Sequence, residues 1–142
     1  MEDIVKAADL VAYTAHYGQV DKAGRPYIEH PRTVASFVET DEEKAAALLH
    51  DVMEDTFLTE ADLRPVFGDR ITDALCLLTH DETEDYFSYV RRVREDPLAK
   101  AVKLADLRHN SDSSRLKEIT KKDEQRLLKY EKARRILLGE ED

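Results

Sequence analysis

The chain has 142 residues, 42% of them hydrophobic and 37% charged, and a formal net charge of −9. That length suits one domain with a real core, and the acidic balance argues against general nucleic-acid binding, which needs a basic surface. Four glycines and four prolines leave too little turn chemistry for a β-sandwich; the single cysteine, Cys76 among Leu75, Leu77 and Leu78, permits no intrachain disulfide and reads as a buried, inert thiol.

Residues 2–17 read as a first helix, with Ile4, Ala7, Ala8, Val11 and Ala15 spaced for one buried face and Gly18 placed to stop it. A loop punctuated by Gly24 and Pro26 leads through Tyr27-Ile28-Glu29-His30-Pro31 into a second helix carrying Val34, Ala35 and Val38. Thr40 or Asp41 is the expected N-cap of the third. Thr59-Glu60-Ala61-Asp62 fits a capping box, opening a short helix that ends near Phe67-Gly68. Another helix starts at Asp69 or Arg70, with Ile71, Ala74, Leu75 and Leu78 inward. His80 to Glu84 is a polar connector, and 85–95 is helical, with Tyr86, Tyr89, Val90 and Val93 spaced for core packing. Asp96-Pro97 looks like an N-cap followed by proline at the first helical position. Ser111 to Ser114 weakens helix propensity. A final helix over 121–138 reads as a solvated, charge-rich face with pairs such as Glu131 with Arg135, and the tail from Gly139 to Asp142 is expected to fray. Nothing reads as a strand pair, so the expectation is a single all-α domain over 1–142.

One stretch stands apart. Leu48-Leu49-His50-Asp51-Val52-Met53-Glu54-Asp55-Thr56 places a histidine and three carboxylates within six residues, directly after an alanine and leucine run. On one helix at about 100° per residue, Glu54 falls ~40° from His50, Asp51 ~100° and Asp55 ~140°, opposite Leu48, Val52 and Ala45. Four such groups on one face repel each other and lose hydration unless a cation, or a partner supplied elsewhere, compensates. His30 precedes Pro31 at a helix entry. Asp106 sits in the apolar stretch Val102-Lys103-Leu104-Ala105, with Asn110 one turn later, and is either exposed or paired inside.

Tyr27 to Pro31, Leu48 to Thr56 and Lys103 to Asn110 resemble, in that order, the three signatures of the HD-domain metal-dependent phosphohydrolases. More closely, the chain resembles the hydrolase domain of the RelA/SpoT family and the small alarmone hydrolases. The matching residues are Ala15-His16-Tyr17-Gly18-Gln19, Pro26 to Pro31, Ala46 to Thr56, Phe67-Gly68, Lys103 to Asp106 and His109-Asn110, and the likeness covers about 5–115. It implies an HD-domain helical bundle in which His30, His50, Asp51 and Asp106 hold a divalent metal, usually manganese. It implies that Glu54 and Asp55 act on the attacking water and that Asn110 lines the catalytic pocket. Lys22 would belong to a substrate-binding loop, and Ser113 would lie near the substrate. Two neutral imidazoles and two carboxylates suit such a cation, since they cancel its charge and leave coordination positions open. The implied reaction is removal of the 3′-pyrophosphate of guanosine tetra- or pentaphosphate (ppGpp or pppGpp), without the synthetase activity of longer family members.

The departures bear on the substrate. Asp21 stands where the alarmone hydrolases usually carry an arginine beside the base, and Leu107-Arg108 reverses the usual family order, although Asp106 and Asn110 keep their spacing. The alternatives are an HD phosphohydrolase for another nucleotide or phosphorylated metabolite, a non-catalytic nucleotide-binding module, and a plain bundle whose polar cluster is satisfied by salt bridges. His16 reads as a cap or pocket wall, His80 as a loop residue and His109 as a supporting one. The expected partner is a phosphorylated nucleotide, with neither nucleic acid nor membrane; the sequence sets no oligomeric state. The acidic Met1-Glu2-Asp3-Ile4 lacks the features of a signal peptide, and no apolar run approaches membrane-spanning length, so the expected compartment is the cytoplasm.

Overall fold

The computed structural model describes residues 2–115 and 118–142. These form α1 (Glu2–Ala15), α2 (Glu29–Ser36), α3 (Asp41–Leu49), α4 (Val52–Asp55), α5 (Glu60–Leu78), α6 (Tyr86–Arg94), α7 (Pro97–Asn110), a 3₁₀ turn at Ser113–Arg115 and α8 (Lys121–Leu137). The architecture is an all-α helical bundle. Its one β feature among the described residues is an isolated bridge, Val20 to Pro26, which pinches the loop after α1.

Local chemistry sets most of the helix ends. Thr40 caps α3 through a reciprocal box with Glu43, and Thr59 caps α5 with Asp62 in the same way. Asp96 accepts from the Leu98 amide, with Pro97 at the first helical position. Gly18, at φ 89°, takes the left-handed turn that ends the α1 segment. Gly68, at φ 83° and ψ 172°, leaves the helical region and puts a kink in α5. The two short helices expected there lie on either side of this kink, joined end to end as α5.

Helix α3 is the centre of the bundle and packs on α1, α2, α5 and α7. It can do so because its second half, Ala45, Ala46, Ala47, Leu48 and Leu49, is all buried; a helical segment that is apolar all round belongs inside, and three alanines let its neighbours approach closely. Helix α7 touches α2, α3, α5, α6 and α8. The core beneath these contacts includes Leu63, Leu75, Val90, Val102 and Ile136, each at 2% exposure or less. Leu75→Ala, well inside α5, is expected to destabilise the fold by about 2–5 kcal/mol, read as a lower urea midpoint at unchanged m-value.

Several surface expectations change. Cys76 is only partly buried; desolvation and the nearby Glu60 carboxylate push its thiol up, which keeps it in the unreactive protonated form. Glu131 pairs with Arg134 at 3.4 Å, one turn position short of Arg135. Arg135 turns instead to Glu141 at 3.2 Å, and Arg91 donates to the Asp142 carbonyl. The tail is thus tied back to the bundle rather than frayed. Among the described residues, no helix is long and apolar enough to cross a membrane.

Candidate metal centre and adjoining cavities

The continuous helix expected over Leu48 to Thr56 is broken. α3 ends at Leu49, and Asp51, at φ −105° and ψ −1°, sits in the sparsely populated bridge region before the single turn of α4. The break turns His50 and Asp51 toward α2 and α7, while Glu54 and Asp55 follow on the next turn. Because α2, α3 and α7 pack against one another, His30, His50 and Asp106 meet in the interior, at 8%, 5% and 6% exposure.

The contacts there are short. Asp106 Oδ1 lies 2.9 Å from His30 Nε2 and 3.3 Å from His50 Nε2, and it accepts from Asn110 Nδ2 at 3.0 Å. Asp51 Oδ2 is 3.0 Å from His50 Nε2 and 3.8 Å from His30 Nε2. The four residues expected to hold metal therefore converge, and donor chemistry says what they need. His50 Nδ1 lies 2.6 Å from the Ala47 carbonyl, which can only accept, so Nδ1 carries the proton. The neutral ring then points a lone pair at two carboxylate oxygens. Acceptor against acceptor is unfavourable, so either a proton or a metal cation must sit between them. Burial opposes charge on His50, yet Asp51 and Asp106 hold its pKa well above the ordinary value. A divalent cation satisfies the same acceptors without the proton, and Nε2 nitrogens with carboxylate oxygens are its usual ligands. His30, His50 and Asp106 each offer one ligand atom within a mutual 4.8 Å, and so do Asp51, Glu54 and Asp55.

Supporting groups fix these side chains. His30 Nδ1 is 2.7 Å from His109 Nδ1, and the two rings stack at 5.0 Å; when His30 donates, its Nε2 lone pair faces the cluster. The Tyr27 hydroxyl donates to Asp51 Oδ2, and burial followed by the Asp51 charge drives that phenol far up. Lys103 Nζ sits 3.0 Å from Asp106 Oδ2. Burial works against its charge, but Asp106 and the faces of Tyr86 and Tyr89 keep it protonated. Glu54 accepts from the His80 backbone N–H at 2.8 Å, which anchors the connector. Burial raises the carboxyls of both Glu54 and Asp55, and Asp51 repulsion adds to it.

Two cavities open from the cluster. One, of about 270 Å³, is walled by His30, Asp51, Glu54, Asp55, Lys103 and Asp106. The other, of about 340 Å³, holds Lys22 and Ser113 together with Arg126, Leu127 and Tyr130 from α8. Asp21, Tyr27 and Asn110 line both. Asp21 turns Oδ1 onto the backbone N–H groups of Ala23 and Arg25, so this acid shapes the loop that carries Lys22. Tyr86 and Tyr89 do pack inward, and Tyr89 donates to the Leu78 carbonyl. They also wall a smaller space, about 120 Å³, behind His50 and Lys103.

Tyr27, Lys103, Arg126 and Tyr130 carry no sequence-predicted role. The first two lie inside the quoted motifs, where an apolar stretch interrupted by Lys103 was a usable signal. Arg126 and Tyr130 share one face by i,i+4 spacing, but nothing local ties α8 to residues of the first loop.

An all-helical bundle built round histidines and aspartates from three helices, able to hold a cation, is the arrangement of an HD domain. The sequence profile described as the HD domain matches residues 7–80, more than half of the chain, and the chain belongs to that family. It is homologous to RelA/SpoT-type ppGpp hydrolases. The guanosine-3′,5′-bis(diphosphate) 3′-pyrophosphohydrolase of Haemophilus influenzae is 37% identical over 116 residues, covering 71% of this chain and 17% of that protein. The bifunctional (p)ppGpp synthase/hydrolase SpoT of Escherichia coli is 35% identical over 121 residues, covering 75% and 17%. The GTP pyrophosphokinase of Myxococcus xanthus is 32% identical over 126 residues, covering 76% and 17%. The chain thus spans about a sixth of the length of these curated relatives. A solved structure of a metazoan SpoT ortholog, described as hydrolysing ppGpp, superposes with a TM-score of 0.77 at 23% identity, covering 97% of this chain and 87% of that one; that likeness establishes the shared fold.

Proposed function

We propose that the chain is a metal-dependent phosphohydrolase that removes the 3′-pyrophosphate of ppGpp or pppGpp. The observation that carries the reading is the position of the cation cluster in the wall of a cavity that also holds Glu54, Asp55 and Lys103. His30, His50, Asp51 and Asp106 would hold the cation, with manganese the expected ion. When bound, it offsets charge on the phosphoryl oxygens and makes water a better nucleophile. Glu54 and Asp55 would position that water and accept its proton as the water oxygen joins phosphorus. The ester oxygen departs and takes up a proton, giving GDP or GTP and pyrophosphate. Lys103 and Asn110 face the same space and supply hydrogen-bond donors for the phosphoryl group. Lys22, Ser113, Arg126 and Tyr130 would receive the remainder of the nucleotide in the adjoining cavity.

Asp21 favours a second reading. A carboxylate at the junction of the two cavities, where the alarmone hydrolases usually carry an arginine, repels phosphate, so another phosphorylated nucleotide is the alternative substrate for the same chemistry. The test is a panel of phosphorylated nucleotides incubated with manganese, with Asp51→Ala as control. Release of pyrophosphate from ppGpp by the natural chain alone is the expected result. Cleavage of a different nucleotide with ppGpp left intact would replace the substrate. Tight binding without product would make the chain a binding module.

A further inference from the structure

The matched segment Ala15 to Gln19 holds a side-chain relay outside the cation cluster. His16 closes the α1 segment at 2% exposure, an unusual place for an imidazole without a task. Its Nδ1 lies 2.9 Å from Gln19 Oε1. Since that amide oxygen only accepts, Nδ1 carries the proton and Nε2 is left as a buried lone pair, with no partner among the described residues. Gln19 is thereby locked with its Nε2 outward, donating to the Asp55 carbonyl at 3.0 Å across 36 residues of sequence. The same imidazole packs on the Tyr27 ring, centroids 4.9 Å apart, and Tyr27 donates to Asp51.

We infer that His16 and Gln19 are positioning residues for the hydrolytic carboxylates. His16 orients the Gln19 amide, and Gln19 clamps the single-turn helix α4 so that Glu54 and Asp55 face the cavity. The physical need is plain. A one-turn helix has almost no hydrogen bonding of its own to hold it in place, and it follows a residue in the bridge region. On the His80 side it is anchored through Glu54; on the other side the Gln19 contact holds its C-terminal end. Neither residue lines the cavity that holds the two carboxylates, so their effect must pass through the geometry of the turn, where a shift of about 1 Å can slow chemistry on the order of 100-fold. The inference rests on the hydrolytic reading of Glu54 and Asp55.

The test compares Gln19→Leu, Gln19→Glu, His16→Asn and His16→Phe in the full chain loaded with manganese. Gln19→Leu and Gln19→Glu remove the donor to the Asp55 carbonyl, and both should lower kcat by about 10–100-fold while leaving KM and manganese affinity close to the natural values. His16→Asn keeps a donor near the Nδ1 position and should restore most of the rate, whereas His16→Phe keeps the ring against Tyr27 and should behave like Gln19→Leu. An unchanged kcat in Gln19→Leu overturns the inference, and so does a fall matched by equal loss of manganese affinity. Activity retained by His16→Phe but lost by His16→Asn would make the ring packing, not the relay, the functional contact. A natural chain that turns over none of the nucleotides defeats the proposed hydrolysis instead. The clamp is then read by amide hydrogen exchange at 52–56, which Gln19→Leu should accelerate up to about tenfold with α7 unaffected. Exchange at the natural rate would overturn the clamp on its own.

Discussion

Asp106→Asn should bind manganese at least about 100-fold more weakly than the natural chain and lose measurable turnover, while remaining folded. The side chain stands at the meeting point of α2, α3 and α7. Its Oδ1 faces both imidazoles and Asn110, and its Oδ2 faces Lys103. Burial works against its negative charge, but Lys103 and the two histidines hold its carboxyl well below the ordinary range. It is therefore the anion on which the surrounding positive groups depend. Asparagine keeps the shape and an acceptor for Asn110 but takes away the charge that a divalent cation needs. Both changes leave the Lys103 ammonium, at 12% side-chain exposure, without its counter-ion, and Asp106→Ala goes further because it also removes the acceptor oxygen that asparagine retains. Removing one partner of a buried pair costs about 3–5 kcal/mol. Isothermal titration with manganese separates both variants from the natural chain, and thermal unfolding without metal shows the added cost of alanine. Wild-type manganese affinity in Asp106→Asn would remove Asp106 from the cation site and favour a cluster held by internal ion pairs.

What was legible in the sequence followed the range over which each interaction acts. Caps work within three or four residues, so Thr40, Thr59 and Asp96 announced their helices, and Pro97 sharpened the last of these. The cluster was legible for a different reason: acidic and imidazole groups cannot be left in an alanine-rich interior without compensation, so His50 and Asp51 demanded partners before any were located. The break after Leu49 was not legible. Helical spacing alone assigned His50 and Glu54 to one face, whereas the bridge conformation of Asp51 gives the two pairs of residues separate turns. Gly68, by contrast, was legible: a glycine after Phe67 reads as a stop, and its non-helical φ and ψ divide α5 into the two expected segments.

The least legible part is the cavity over Lys22. The resemblance assigned Lys22 to a substrate-binding loop and Ser113 to the substrate's vicinity; both line this cavity. Arg126 and Tyr130 reach the same wall only because α8 packs on α6 and α7. A helix read as solvated by composition thus lends two polar side chains to a site more than a hundred residues away in the first loop. The His16 relay was hidden for a similar reason. A histidine near a helix end is most often a cap, and only the buried tautomer and the contact from Gln19 to Asp55 distinguish it.

The second large effect is expected at the carboxylates that follow the cluster. Glu54→Gln and Asp55→Asn should each lower kcat by about 100- to 10,000-fold, the range for loss of a positioned acid or base, with manganese affinity within a few-fold of the natural chain. The reason for the split lies in the broken helix. Asp51 contacts both imidazoles, whereas Glu54 and Asp55 lie on the next turn and face the cavity that Asp51 also lines. Glutamine at 54 retains an oxygen for the His80 backbone N–H, so the connector need not move, and asparagine at 55 leaves untouched the backbone carbonyl that Gln19 holds. Neither change removes a charge buried among the imidazoles, so the fold should survive. Initial rates against substrate concentration, paired with manganese titrations on the same samples, give both numbers. If both variants turn over substrate at the natural rate, the carboxylates only line the pocket, and the proton from water must leave by another route. If manganese affinity collapses along with the rate, Glu54 and Asp55 belong to the cation site itself, and the division between holding the metal and working on the water fails.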